Sequence, residues 1–202
     1  MAKNKIEKLK IVQMNTVLFK ADALSNIIRK LDAINKGENW QSNIIVDLFS
    51  DYKGIPVLAS SDYSYDPLLA RLSYLVSRFM RLSNKVHWLK SYASATRQYR
   101  PNVAKNLIES ADIRIWHYGA FYTLFRQFHD GDILYFHGIT PPYLSYFREF
   151  AIFSKNMLQA ILDLHPFVIV DSQFMKQSIA DLGFKTKDIH VLPLFHSYNL
   201  GV

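Results

Sequence analysis

Six short apolar runs, each separated from the next by a segment with helical spacing, constrain this chain more than any other feature. The runs are Leu9-Lys10-Ile11-Val12-Gln13-Met14, Asn43-Ile44-Ile45-Val46-Asp47-Leu48, Ile113-Arg114-Ile115-Trp116, Ile133-Leu134-Tyr135-Phe136, Phe167-Val168-Ile169-Val170 and Ile189-His190-Val191-Leu192. Runs of four to six β-branched and aromatic residues read as strands buried on both faces. Between them Asp22 is placed to N-cap a helix carrying Leu24, Ile27, Ile28 and Leu31. Helices are also predicted over residues 144–164 and 172–182, and the segment 120–128 connects the third and fourth strands. Strands alternating with helices require crossover connections, and those connections are right-handed in almost all parallel sheets. The expected fold class is therefore α/β: a Rossmann-like, three-layer domain with a mostly parallel sheet. In such sheets ligands bind beyond the C-terminal ends of the strands, so residues 15–22, 117–119 and 137–142 are where a site is expected.

The length of 202 residues suits one domain, 1–202, with a full core. With half its residues hydrophobic and 14% aromatic the chain cannot be a disordered one, while its apolar runs fall short of the roughly 20 residues that span a bilayer. Met1-Ala2-Lys3-Asn4-Lys5 is basic, but Ile6-Glu7-Lys8-Leu9-Lys10 goes on adding charge where the apolar part of a signal peptide would begin, which argues against secretion and for a cytoplasmic location. The absence of cysteine excludes disulfides, thiolate zinc sites and a cysteine nucleophile.

A net charge of +7 points to an anionic partner. The charge is concentrated: no acidic residue occurs between Asp66 and Glu109, whereas Arg71, Arg78, Arg81, Lys85, Lys90, Arg97, Arg100 and Lys105 do. Leu72, Leu75, Phe79, Leu82, Val86 and Leu89 step by three and four, predicting a long amphipathic helix over residues 68–89. Its basic face, with Arg78, Arg81 and Lys85, is either solvated or rests on an anionic membrane surface, with Tyr74, Trp88 and Tyr92 as interfacial aromatics. Nucleic acid ranks below lipid, since no nucleic-acid-binding motif accompanies the charge.

The loop after the first strand, Asn15-Thr16-Val17-Leu18-Phe19-Lys20-Ala21-Asp22, contains no glycine, and no P-loop occurs elsewhere. Dinucleotide and P-loop nucleotide cofactors are therefore poor hypotheses. Asp130-Gly131-Asp132 imitates the Asp-x-Asp of metal-dependent sugar transferases but has the composition of a turn. The seven histidines lack metal-ligand spacing, and no metal is expected. His117 and His137 nevertheless follow Trp116 and Phe136 at the ends of consecutive predicted strands, where each is a loop histidine or a ligand contact. Pro141 and Pro142 stiffen the next loop and hold Thr140 extended.

At Leu134-Tyr135-Phe136-His137-Gly138-Ile139-Thr140-Pro141-Pro142 the chain resembles the family 4 retaining glycosyltransferases of the two-Rossmann-domain (GT-B) type, in which a strand enters a His-Asn-Ile-Thr-Pro-Pro-like loop. Val170-Asp171-Ser172-Gln173-Phe174 is similar to the family's strand followed by Ser-x-Phe. Leu182-Gly183-Phe184 is similar to its helix-ending Leu-Gly, and Ile189-His190-Val191-Leu192-Pro193 to the strand leading out of its first domain. Ala21-Asp22-Ala23-Leu24-Ser25-Asn26 resembles the Gly-Asp-Ala-x-x-Asn element, with Ala21 for glycine, and Gly138 stands where asparagine is usual. The resemblance implies a hexosyltransferase-type enzyme moving a sugar, with retention and without metal, from a nucleotide-sugar donor to a cell-surface glycan or lipid-linked acceptor. It makes this chain the acceptor-side half, on the inner face of the cell membrane and inactive alone. The nucleotide-sugar-binding half is then a missing C-terminal domain or a separate catalytic chain. It further implies that His137 is catalytic, its neutral imidazole hydrogen-bonding a donor-sugar hydroxyl, and that Thr140, Asp22 and Asn26 bind substrate, while His117 is a candidate substrate contact from its place at the end of a strand. The alternative from another class is a non-catalytic Rossmann-like module that docks an anionic membrane or a partner enzyme through the basic helix.

Overall fold

The computed structural model describes residues 8–18, 20, 22–50, 52–58, 100–119, 123–139 and 148–193. Among these lie six strands: β1 (Lys10–Leu18), β2 (Gln41–Ser50), β3 (Ile113–Tyr118), β4 (Ile133–Phe136), β5 (Phe167–Val170) and β6 (Ile189–Val191). Four α-helices accompany them: α1 (Ala23–Gly37), α2 (Pro101–Glu109), α3 (Arg148–Gln159) and α4 (Gln173–Ala180). The strands form one parallel sheet in the order β2-β1-β3-β4-β5-β6, which makes this an α/β, Rossmann-like fold. By compactness the chain divides into Met1–Trp116 with Tyr122–Phe128, and His117–Phe121 with His129–Val202.

In the first unit β1 is flanked by β2 and β3, with Ile11 opposite both Ser42 and Ile113. Ile11 to Asn15 are consecutively buried, as a strand covered on both faces requires. Leu18, Ile28, Ile44, Val46 and Val57 make a core that joins α1 to β1 and β2, and Leu24, Tyr52 and Ile55 pack on it. Asp22 N-caps α1: its carboxylate accepts from the Ser25 amide and hydroxyl, both at 2.8 Å. Pro101 opens α2, where its missing N–H has no bond to lose. Trp116 is fully buried, edge-on to Phe125 at 5.8 Å.

In the second unit β5 pairs with β4 on one side and β6 on the other. Asp130-Gly131-Asp132 closes the turn into β4: Gly131 takes φ +81, and the Asp132 carboxylate accepts the His129 amide at 3.0 Å. α3 ends at Gln159 and is followed by a 3-10 turn at Leu162–Leu164, so the long predicted helix is broken there. The buried Tyr118 hydroxyl donates to the Ser154 carbonyl at 2.9 Å, tying β3 to α3. Ser172 N-caps α4 through the Met175 amide at 3.2 Å.

Candidate functional site

Three successive strands of the sheet deliver one ionisable side chain each to a common face. His117 is the penultimate residue of β3, His137 follows Phe136 at the end of β4, and Asp171 follows Val170 at the end of β5. Phe136 and Val170 are register partners, so His137 and Asp171 come next to each other beyond the C-terminal ends of their strands. The backbone amide of His137 donates to the Tyr118 carbonyl at 2.9 Å, which fixes the neighbouring position against β3.

The side chains form a continuous row. His117 Nδ1 lies 3.0 Å from His137 Nε2, and His137 Nδ1 lies 3.0 Å from Asp171 Oδ2. The two imidazole planes are within 11° of parallel while their centroids are 5.3 Å apart, so with nitrogens at 3.0 Å the rings meet edge to edge. Tyr135, two residues before His137 and on the same face of β4, lies over both rings, with centroids 4.3 Å from His137 and 5.2 Å from His117. The row is largely dry: His117 is fully buried, and the side chains of His137 and Asp171 are only 8% and 15% exposed.

Burial sets the electrostatics. It holds the His117 imidazole well below the usual histidine pKa, and the neighbouring His137 charge acts in the same direction. Burial, followed by the Asp171 carboxylate beside it, pushes the Tyr135 phenol above the tyrosine range. Burial likewise raises Tyr118, against a smaller opposing effect of the Ser154 side chain. Asp171 Oδ1 is buried without a hydrogen-bond donor among the described residues.

Of the residues singled out from sequence, His117 and His137 are therefore brought into direct contact. Asp22 and Asn26 belong to the first unit: Asp22 is the helix cap, and the exposed Asn26 donates its backbone N–H to the Asp22 carbonyl at 3.1 Å. Thr140, Pro141 and Pro142 lie outside the described residues, as do Arg78, Arg81, Lys85 and the whole predicted basic helix. Asp171 and Tyr135 were not singled out as site residues, although a strand run followed by Asp repeats the pattern of a strand run followed by His. Among the described residues no group of three or more acidic or histidine side chains is arranged to hold a metal ion. No described helix is long and apolar enough to cross a membrane. Among the described residues a hollow of about 350 Å³ beside Arg29, Asp32, Tyr52 and Lys53 and another of about 260 Å³ beside His165 and Lys185 are lined by none of the row's side chains. Comparison with known proteins gives no match, whether to a family model, a curated protein or a solved structure.

Proposed function

We propose that this chain is the acceptor-side domain of a retaining glycosyltransferase, moving a sugar from a nucleotide-sugar to a glycan or glycolipid acceptor. The observation that carries the reading is the His117–His137–Asp171 row at the C-terminal ends of parallel strands, where α/β sheets bind their ligands. The motif order from Asp22 to Pro193 supports it from the sequence. A buried, hydrogen-bonded row offers pre-oriented dipoles and one well-placed carboxylate, which suit the orientation of hydroxyl groups more than nucleophilic attack. Because both nitrogens of His137 are engaged, its contact with a sugar requires either exchange of one of those bonds or action through Asp171 and His117. The donor pocket belongs to the partner half, so the chain alone binds nucleotide-sugars weakly and does not turn them over.

The test has two arms. Calorimetry with a panel of UDP- and GDP-sugars is expected to show affinity weaker than submillimolar and no product. Titration with oligosaccharide acceptors is expected to shift the ring signals of His137 and His117. Submillimolar nucleotide-sugar binding with turnover, or acceptor glycans that leave those signals unmoved, would overturn the proposal.

A further inference from the structure

The row's own chemistry fixes more than its position. A carboxylate only accepts hydrogen bonds, so His137 Nδ1 at 3.0 Å from Asp171 Oδ2 must carry a proton. A neutral His137 then has a bare Nε2, and the 3.0 Å contact to His117 Nδ1 is a hydrogen bond only if His117 donates it. The direction of the His117–His137 bond is thus dictated from Asp171, on the other side of the His137 ring. A proton added to His137 reverses that bond: Nε2–H donates, and His117 must move its own proton from Nδ1 to its other nitrogen. Two imidazolium rings cannot coexist, because two N–H groups would face each other across 3.0 Å.

We infer that Asp171 is the positioning residue of the site, fixing His137 as its Nδ1–H tautomer and so making the two histidines a relay that carries one added proton and not a second. The inference deepens the proposed function by naming how the sugar site handles protons, and it rests on that reading only for the identity of the ligand. His137 sits in the middle with both nitrogens used, so a ligand exchanges a proton with it only by displacing one of those two bonds. The added charge then rests on His137, next to the carboxylate and beneath the Tyr135 ring. Among the described residues the ionisable groups facing His137 are His117 from β3, Tyr135 from β4 and Asp171 from the end of β5.

The experiment is long-range proton–nitrogen NMR of histidine-labelled chain between pH 5 and 8, for the parent, Asp171→Asn and Asp171→Ala. In the parent, both rings are expected as Nδ1–H tautomers at the basic end, with one proton taken up by the pair on acidification. Asp171→Asn keeps an accepting oxygen but not the charge, so it is expected to retain the tautomer while the pair's apparent pKa falls by at least about one unit. Asp171→Ala removes the acceptor and is expected to release His137 to the Nε2–H form. An Nε2–H His137 in the parent, or two protons taken up independently, overturns the relay whether or not either variant folds. A side chain that only filled space would leave the tautomers unchanged in both variants. Because the readout needs no sugar, a failed glycan titration with an intact tautomer pattern would sink the glycosyltransferase reading and leave the relay standing.

Discussion

Acid should weaken the folded chain through His117, and the size of the effect follows from where that side chain lies. His117 is fully buried in the folded state and its pKa is held well below 6.5. In the unfolded chain it titrates normally, near 6.5. Between the two values the unfolded state binds more protons, so the contribution is complete above pH 6.5 and is lost as pH falls toward the folded value. One proton corresponds to 1.36 kcal/mol per pH unit, so the step from pH 7.5 to 5.5 removes about 1.4 kcal/mol, about three-quarters of it below pH 6.5. For a chain of this length that is a fall in Tm of about 3–6 °C. Urea denaturation followed by circular dichroism at pH 7.5, 6.5 and 5.5, on the parent and on His117→Gln, isolates the term as the difference between their pH slopes. Equal slopes would refute the reasoning. So would an NMR titration of the parent in which the His117 ring protonates at or above pH 6.5, a check that does not depend on the variant folding.

Two further outcomes follow from local geometry. Asp22→Ala should cost about 1 kcal/mol by uncapping α1, with no dependence on any sugar; a melting temperature equal to the parent's would return Asp22 to a purely ligand-facing role. Gly138→Ala should cost about 1–2 kcal/mol because φ is +91 there, and the added Cβ would meet Met175 Sδ and Cε at 3.0 Å; a change within a few tenths of a kcal/mol would show that the loop relaxes freely.

Where the chain's periodicity is local, the sequence was readable. β4 and β5 fall on the residues their apolar runs mark, because each run is four β-branched, aromatic or aliphatic residues bounded by polar, Gly or Pro positions. β1 and β2 extend beyond their apolar runs to Leu18 and Ser50, because pairing resumes at Val17 with Phe49 and Leu18 with Ser50 after a register shift that skips Thr16 and Asp47, and such an irregularity has no period to read. α2 was not anticipated: its nine residues bury only Ala104 and Ile108, a stripe too short to stand out, and Pro101 was the one start signal. The site divides along the same line. His117 and His137 were visible because each ends a recognisable strand. Asp171 carries no signal of its role, since nothing local says that the end of β5 lies beside the end of β4. That fact belongs to strand order, and strand order is decided by packing across the sheet.

The placement of β1 between β2 and β3 also governs how the chain must come together over time. The Lys10 amide donates to Asp112, 102 residues further along, and Ile11 waits for Ile113. A ribosome adding about 5–20 residues per second emits that partner roughly 5–20 s after β1 itself. β2 follows soon and covers one side of β1, but the other edge, with its row of unsatisfied amides and carbonyls, stays open throughout that interval. Closing so long a loop is also entropically slow, which puts the β1–β3 ladder late in folding. Of the six strands β1 thus waits longest for its second neighbour, and during that interval its open edge needs protection from pairing with another chain.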